Sequence, residues 1–376
     1  EDLVVKEGAL YSKDGQDLLI TFGEISSQVD DWEFPKEVPA LKEEKDFQFI
    51  GKPLGRVDIE SKLLGSAIYG FDVKVPNMAY GAIARPPRMN AKLLDASLGQ
   101  VLDIPGVIDV VIQGDFVGVV ATNRTAAYQG LEALEITWSD GDFIQQADID
   151  ALTTVGNGDA ILVQKEGSED LSDITPTHSA EYRSGMAYHA HIEPQAAVAD
   201  VRPDRVDVWA STQSSMSIQS AIAEALGRNE EEIFVTPTYL GGGFGRKIEK
   251  RAAVEAARLS AAVGQPVHIG WSRQEDFQHG FVRPPTHSIL TAATDEQGFI
   301  TTIIHQQASG DVAFPFLPEI AGKVLGADFG AWRGATIPYQ IPNIRTIAYR
   351  IQLPVKTGWW RGLGLFANVF ASESFM

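Results

Sequence analysis

Apolar runs broken by glycine and proline dominate the first part of the chain. Runs rich in β-branched and aromatic residues predict strands, and they lie at residues 18–22, 69–75, 80–84, 107–112, 118–122 and 134–138. Residues 124–130 predict a helix, whereas the charged, proline-containing stretch 30–44 predicts little regular structure. The pattern predicts an acidic hairpin and connector over residues 1–46, followed by a mixed α+β domain over residues 47–140.

The second half of the chain alternates between strand and helix patterns. Residues 141–175 are polar and rich in turn signals, so they are predicted to be a linker before a second domain at 176–376. Within that domain the pattern predicts strands at 206–210, 233–239 and 267–271 and helices at 215–226 and 247–263. Ser214 is a plausible N-cap of the first helix, and Gly227 and Gly264 follow the two helix ends.

Length, charge and cysteine content then exclude several classes of protein. A chain of 376 residues predicts two or three domains. Because there is no cysteine, the chain has no disulfide framework, thiolate nucleophile or cysteine-ligated iron–sulfur cluster. A net charge of −19 argues against nucleic-acid binding, and no apolar run approaches the ~20 residues that a membrane span needs.

The two ends of the chain predict that it is a processed or partial polypeptide. It begins at Glu1 without an initiator methionine, shows no signal peptide, and stops within a periodic apolar stretch at Met376. The acid excess is concentrated at the start, where residues 1–46 carry thirteen acidic and five basic side chains.

The strongest local signal is the glycine-rich motif at residues 241–247, between a predicted strand and a predicted helix. Its sequence is Gly241-Gly242-Gly243-Phe244-Gly245-Arg246-Lys247. Glycines allow a tight turn and close ligand approach, and open amides beside basic side chains favour an anion. The motif has neither the Rossmann nor the Walker spacing. A turn that merely lets the helix pack against the strand explains it about equally well.

Two further polar clusters are candidates for ligand contacts. Gln213 lies within Ser211-Thr212-Gln213-Ser214-Ser215, at a strand–helix junction where ligands collect, although polar residues there are more often caps. Residues 357–364 read Thr-Gly-Trp-Trp-Arg-Gly-Leu-Gly. Packing explains the tryptophans, but Arg361 in a buried glycine-rich loop needs an anionic or carbonyl partner.

The pair His189 and His191 is the remaining metal candidate. Alternate residues on a strand face the same side for ordinary reasons, and no third ligand stands at a recognisable spacing. The sequence therefore predicts no metal ion held by protein side chains.

Taken together, these motifs resemble the molybdenum hydroxylases, the xanthine oxidase and aldehyde oxidase family. The likeness is strongest to the branch of the isoquinoline 1-oxidoreductase beta subunits, which includes bacterial aldehyde dehydrogenase large subunits. It is carried, in family order, by residues 49–58, 69–73, 84–87, 189–194, 209–213, 240–247, 271–273, 341–343, 358–361 and 373–375. The resemblance implies an α+β fold, with an α/β hammerhead domain at 47–140 followed by the first, incomplete part of a molybdopterin-binding α/β domain at 176–376.

The resemblance also implies a set of site residues. Gln213 matches the glutamine that hydrogen-bonds an oxo ligand of molybdenum, and the metal is held through the pterin. The cofactor-proximal loops correspond to Gly242, Gly243, Phe244, Gly245 and Arg246, and to Arg361 and Gly362. Two departures argue against a purine substrate: Ile248 replaces a glutamate, and Leu363 replaces an aromatic residue. The family's catalytic glutamate lies beyond position 376, so no catalytic residue is assigned.

The implied function is the molybdenum-cofactor-binding portion of an oxidoreductase that hydroxylates an aldehyde or N-heteroaromatic with water-derived oxygen. The implied cofactors are molybdenum–molybdopterin, in its cytosine dinucleotide form, and 2Fe–2S clusters on a separate subunit. The implied partners are that iron–sulfur subunit, the remainder of the molybdenum subunit and a cytochrome c acceptor, in the periplasm. Two alternatives stay open: a non-catalytic cofactor-holding or assembly chain, and an α/β protein that binds an ordinary nucleotide phosphate.

Overall fold

The computed structural model describes residues 3–33, 35–317 and 325–376. Residues 1, 2 and 34 of the predicted acidic segment and residues 318–324 of the predicted second domain therefore lie outside the described residues. The chain divides into two compact units, Glu1–Gly65 and Ser66–Met376.

The first unit contains a small antiparallel sheet. Its elements are β1 (Val4–Lys6), β2 (Ala9–Tyr11), β3 (Leu18–Thr21), α1 (Phe22–Gln28) and α2 (Ile59–Leu63), with sheet order β1-β2-β3. The strand predicted at 18–22 is confirmed, but it ends one residue early. Thr21 and Glu24 form a capping box, which starts α1 at Phe22.

Among its described residues, the second unit contains three sheets. Its strands are β4 (Ala79–Ile83), β5 (Leu93–Ser97), β6 (Val107–Gln113), β7 (Phe116–Ala121), β8 (Glu135–Trp138), β9 (Asp159–Glu166), β10 (His178–Ser184), β11 (Ala196–Val201), β12 (Val206–Ala210), β13 (Ile233–Pro237), β14 (Val267–Gly270), β15 (Thr286–Thr294), β16 (Ile300–Ser309) and β17 (Asn343–Arg350). Its helices are α3 (Arg124–Glu132), α4 (Gln146–Leu152), α5 (Ser215–Leu226), α6 (Arg251–Val263), α7 (Arg273–His279), α8 (Phe329–Trp332) and α9 (Leu365–Phe375). Short 3-10 turns lie at Val101–Asp103, Glu230–Glu232, Arg246–Ile248 and Phe314–Phe316.

The largest sheet crosses the predicted domain boundary. Its order is β13-β12-β11-β14-β4-β7-β6, so strands from residues 47–140 and from 176–376 form one sheet. The junction is the parallel pairing of β14 with β4, in which Val267 faces Ala79. Of the described strands in region 47–140, β4, β6 and β7 belong to this shared sheet, whereas β5 and β8 pair with each other in a separate two-stranded sheet. Pairing between positions so distant in sequence leaves no short-range signal.

The predicted linker also contains regular structure. Helix α4 and strand β9 lie within residues 141–175, and β9 forms the edge of a five-stranded sheet with order β10-β15-β16-β17-β9. The glycine turns at Gly158 and Gly167 bound β9 rather than marking a flexible connection. Because β9 is an edge strand with a half-polar surface, its composition resembles that of a linker.

The two largest of the apolar cores in the described part of this unit lie on its two large sheets. Helices α5 and α6 cover the seven-stranded sheet, and Val208, Ile222 and Leu259 are completely buried between them. A second core lies between the five-stranded sheet and α9 and includes Ile303 and Ala371. Within the described residues, no helix is long and apolar enough to cross a membrane.

The fold brings two strand ends to one edge of the large sheet. Strands β12 and β13 are parallel neighbours, so the chain leaves both at the same edge. After β12 the chain passes through residues 211–214 into α5, which has its predicted bounds. After β13 it enters the glycine-rich motif, and α6 begins only at Arg251 rather than at the predicted position 247.

Candidate functional site

Gln213 lies directly against the glycine-rich motif. Its backbone N–H donates to the Lys247 carbonyl at 2.8 Å, and its side-chain Oε1 accepts from the amides of Gly245 at 3.1 Å and Lys247 at 3.2 Å. These two donors fix the orientation of the carboxamide, because only the oxygen can accept them. The Nε2 group therefore faces away from the loop. The side chain is exposed, and Nε2 has no acceptor among the described residues.

The middle of the motif has open backbone amides, that is, amides without a hydrogen-bond partner. Within the described part of the chain, the amides of Gly242, Gly243 and Phe244 make no hydrogen bond. Gly243 also allows close approach to Gln213, since an added Cβ would lie 2.5 Å from Oε1. Three consecutive amides without a hydrogen-bond partner, next to an amide donor, are suited to an anionic or oxygen-rich group. This agrees with the anion-binding interpretation of the motif.

The two basic residues of the motif do not contribute to that open face. Arg246 is 1% exposed, its Nη2 lies 3.0 Å from Asp276 Oδ1, and its backbone amide donates to the Gly243 carbonyl. Burial lowers the pKa of Arg246 and raises the pKa of Asp276. That Arg246 lies beside the cofactor stays a prediction, but its side chain points into the interior and pairs with Asp276 there.

Lys247 is also an interior residue. It is completely buried, and its Nζ pairs with Glu193 Oε2. Burial lowers the pKa of Lys247, while the hydrogen bond that its Nζ donates to Glu193 opposes that shift. A 3-10 turn at Arg246–Ile248 separates the loop from α6. The positive end of the helix, at Arg251, therefore does not adjoin the open amides.

The loop at 357–364 forms the other side of the site. The Gly358 amide donates to the Val282 carbonyl at 2.9 Å, and Trp360 Nε1 donates to the Tyr188 carbonyl at 3.1 Å. An added Cβ at Gly245, whose φ is +101°, would overlap the Trp359 carbonyl oxygen. The two glycine-rich loops are thus in direct contact, as the predicted site requires.

Arg361 is the charged group on this face. The sequence predicted a buried arginine, but Arg361 is exposed and its Cζ lies 4.2 Å from the centroid of the Phe244 ring. No carboxylate of the described residues lies within ion-pair distance of it. The neighbouring Gly362 is exposed as well and has a φ of +80°. Arg361 therefore presents an uncompensated positive charge next to the open amides.

The histidine pair lies behind the loops. His189 Nε2 donates to the Trp359 carbonyl at 2.6 Å, and His191 Nε2 lies 3.4 Å from Asp276 Oδ2. Burial lowers the pKa of His189 to about 4 and that of His191 to about 3, so both rings are neutral at pH 7. Among the described residues no group of three histidine or carboxylate side chains could hold a metal ion.

Backbone strain is concentrated in these same segments. Among the described residues of the second unit, the residues other than glycine and asparagine that have positive φ are Ala190, Phe244 and Leu363, at +47°, +55° and +51°. Each of them costs about 1–3 kcal/mol and persists only where its surroundings enforce it. One lies in the histidine segment and one in each glycine-rich loop, and clustering of this kind is typical of ligand-binding sites.

Two residues of the site carried little sequence signal. Glu193 stands out in the sequence only as part of the motif around the histidines. A charged residue three positions before a buried, alanine-rich strand needs a partner if it is buried as well, and this is the signal that identifies Glu193. Asp276 lies on α7 and carries no comparable signal.

Comparisons with known proteins identify relatives of this chain. The chain is 29% identical over 355 residues to the beta subunit of the isoquinoline 1-oxidoreductase of Brevundimonas diminuta, covering 90% of this chain and 45% of that protein. It is 25% identical over 394 residues to the B subunit of the nicotinate dehydrogenase of Pseudomonas putida (strain KT2440), covering 100% and 33%. This chain thus spans less than half the length of either relative.

Solved structures show the same fold. The quinoline 2-oxidoreductase from Pseudomonas putida 86 superposes with a TM-score of 0.71 at 19% identity, over 90% of this chain and 48% of that chain. Residues 154–376, more than half of the chain, match the molybdopterin cofactor-binding domain family. The chain therefore belongs to that family and is a member of the molybdenum hydroxylases.

Proposed function

We propose that this chain holds the molybdenum–pterin cofactor within a larger oxidoreductase that hydroxylates an aldehyde or an N-heteroaromatic compound. The observation that carries the proposal is the carboxamide of Gln213, whose oxygen is bound by the amides of Gly245 and Lys247. Its Nε2 is therefore a fixed donor, next to three open backbone amides.

The donor set fits such a cofactor. An anionic, oxygen-rich group whose metal is held by its own sulfur atoms needs donors and positive charge from the protein rather than metal ligands. Gln213 Nε2, the amides of Gly242 to Phe244 and the Arg361 guanidinium supply both. The indole Nε1 of Trp359 is a buried donor without a partner among the described residues, which adds an unsatisfied group beside the same loops.

In this proposal the residues of this chain bind and orient the cofactor. When bound, the cofactor supplies the two-electron oxidation chemistry. Gln213 donates a hydrogen bond from a fixed position, and Arg361 offsets negative charge without an internal carboxylate that competes for it. The proton-accepting base belongs to the part of the subunit outside this chain.

The substrate class is inferred from similarity and from two positions. The first two relatives are named for isoquinoline and nicotinate, both N-heteroaromatic compounds, and a third is a membrane-bound aldehyde dehydrogenase of Gluconacetobacter polyoxogenes, 28% identical over 362 residues. Ile248 and Leu363 stand where the purine-oxidising members carry a glutamate and an aromatic residue. An apolar aldehyde or heterocycle fits these side chains better than a purine.

The test is a donor-specific substitution in the full-length protein with its co-purifying subunits. Gln213→Glu keeps an acceptor for Gly245 and Lys247 but removes the Nε2 donor. We expect kcat with benzaldehyde or isoquinoline and an artificial acceptor to fall by about 10- to 100-fold, because a hydrogen bond to a charged group contributes ~1.5–3 kcal/mol. Gln274→Glu, on the exposed face of α7, is the matched control and should retain full activity.

Metal and pterin analysis of the wild-type protein decides the broader assignment. We expect molybdenum and a pterin dinucleotide in comparable amounts. A preparation that contains its partner chains but neither molybdenum nor pterin would refute the proposal, as would full activity in Gln213→Glu.

Three further features belong to the proposal. The dinucleotide is the cytosine form, which mass spectrometry of the released nucleotide tests. The electrons leave through 2Fe–2S clusters on a small partner chain, because this chain has no cysteine to bind them, and pass to a cytochrome c. Co-purification and the characteristic visible spectrum test this arrangement. The assembled enzyme is periplasmic, which fractionation of the native cells tests.

A further inference from the structure

Glu193 lies beneath the glycine-rich motif and is almost completely buried. It is 9% exposed, and its two carboxylate oxygens have three partners. Oε1 accepts from the Phe71 amide at 3.2 Å, while Oε2 accepts from the Gly241 amide at 2.9 Å and pairs with Lys247 Nζ. The carboxylate therefore has a partner on each oxygen, and it joins the segment around Phe71 to the glycine-rich motif.

Two of those donors are the two ends of the loop. Gly241 is the first residue of the motif and Lys247 is the last, so one carboxylate oxygen binds both. The backbone adds a second link at the start, because the Glu193 amide donates to the Gly241 carbonyl at 3.0 Å. The approach is so close that a Cβ at Gly241 would overlap Glu193 Cβ. Glu193 thus holds the loop 241–247 at both of its ends.

Lys247, the last residue of this loop, helps to determine the orientation of Gln213. The Lys247 carbonyl accepts from the Gln213 amide at 2.8 Å and from Thr212 Oγ1 at 3.2 Å, and the Lys247 amide donates to Gln213 Oε1 at 3.2 Å. If Lys247 shifts, Gln213 Oε1 loses one of its two amide donors, and its backbone amide loses its acceptor. Only the Gly245 amide then distinguishes the oxygen of the carboxamide from its nitrogen, so the outward orientation of Nε2 is weakened.

We propose that Glu193 is a positioning residue, whose carboxylate clamps both ends of the loop 241–247 and thereby fixes the Gln213 carboxamide with its donor facing the cofactor. This inference rests on the proposed function for what Gln213 faces. The clamp itself is a property of the protein alone and can be measured without the cofactor.

The competing explanation is that Glu193 and Lys247 are simply a buried ion pair that stabilises the fold. The chain offers a matched pair for comparison. Glu255 is buried and Arg85 is half-buried, with side chains 8% and 13% exposed, and Glu255 also accepts from Trp271 Nε1. This pair joins the segment after β4 to α6 and makes no hydrogen bond to the loop within the described residues.

The experiment compares three variants of the full-length protein with its co-purifying subunits: Glu193→Gln, Glu193→Gln/Lys247→Met and Glu255→Gln. Amide hydrogen exchange is followed in peptides that cover residues 240–248, and kcat, KM and molybdenum content are measured in parallel. For Glu193→Gln we expect the loop amides to exchange about tenfold faster or more, since a hydrogen bond to a charged acceptor is lost. We also expect kcat to fall by about tenfold or more while KM stays within twofold. The substitution alters the orientation of the cofactor and leaves the contacts to the substrate in place.

The double variant separates positioning from stability. Removing both charges abolishes the unpaired buried lysine, so thermal stability should recover towards the wild type. The loop exchange rate and kcat should not recover, because the clamp is still absent. Glu255→Gln should lower thermal stability while leaving loop exchange and kcat unchanged.

Recovery of kcat in the double variant, or equal loop exchange in Glu193→Gln and Glu255→Gln, would overturn the positioning role. The outcomes also separate the two proposals. Wild-type protein without molybdenum and pterin defeats the proposed function, whereas the exchange rates still test the clamp. Wild-type protein that contains the cofactor, together with an unaffected Glu193→Gln variant, defeats the clamp alone.

Discussion

Gly245 is the position at which the two glycine-rich loops touch, and replacing it with alanine tests the site most directly. Its φ of +101° lies outside the region that an L-residue adopts easily, and a Cβ there would overlap the Trp359 carbonyl oxygen. That carbonyl is the acceptor for His189, and the Gly245 amide itself donates to Gln213. Gly245→Ala must therefore strain the backbone, separate the loops, or do both.

The structure gives the size of the effect. The backbone conformation costs about 1–3 kcal/mol for a residue with a Cβ, and overpacking against a fixed carbonyl costs about 1–3 kcal/mol more. With an unfolding entropy of about 2.1 cal/mol/K per residue, 1 kcal/mol lowers the melting temperature of a unit of roughly 310 residues by about 1.5 °C. We therefore expect Gly245→Ala to melt about 3–9 °C lower than the wild type and to lose most of its molybdenum and pterin.

Gly264→Ala is the matched control. Gly264 follows α6 with a φ of +68°, and an added Cβ there meets no atom within 4 Å. Its cost is limited to the left-handed backbone, about 1 kcal/mol or roughly 1–2 °C, and cofactor content should not change. Differential scanning fluorimetry and metal analysis of the two full-length variants provide the comparison. Equal melting temperatures with full cofactor content in both would refute the proposed contact between the loops.

Two further predictions concern charge and pH. Arg361→Met should reduce molybdenum retention about tenfold, because it removes the uncompensated cation beside Phe244. The control variant Arg333→Met, at the end of α8, should retain its molybdenum. Metal analysis after extensive dialysis distinguishes the two variants. Burial lowers the pKa of His305 to about 4, so the folded protein keeps this ring neutral above that pH. The unfolded chain takes up a proton on this ring below about pH 6.5. The protein therefore loses stability as the pH falls from about 6.5 towards 4. His305→Asn should flatten that decline in melting temperature, and an unchanged slope would contradict the assignment.

Local patterns in the sequence predicted the elements around the site well. Helix α5 has its predicted bounds because small and apolar residues alternate with polar ones up to Gly227, which ends the helix in a left-handed conformation. The strand at 206–210 is confirmed with the same limits, since its alternating residues are fully and partly buried in turn. Strong periodicity together with an explicit stop signal made both predictions possible.

What the sequence could not show is which residues meet across the fold. The pairing of β14 with β4 joins regions that were predicted to be separate, and the side chain of Arg246 turns inward because Asp276 on α7 is available to neutralise it. Neither contact is encoded locally. The roles of Gln213 as a cofactor contact and of residues 241–245 as its cradle remain predictions, and they rest on family resemblance together with the observed donor geometry.

The inward direction of Arg246 and Lys247 changes the electrostatic interpretation of the glycine-rich motif. In sequence the two residues look like an anion-binding pair, but each forms an ion pair with a buried carboxylate, Asp276 or Glu193. Their charge is therefore largely cancelled at the open face of the loop, where Arg361 has no such partner among the described residues. Lys247 is completely buried, so its ammonium group does not contribute to binding an anion at this open face. The arrangement instead favours a large group held by backbone amides, one fixed carboxamide and a single arginine from the opposite loop, because these are the donors that the fold leaves free.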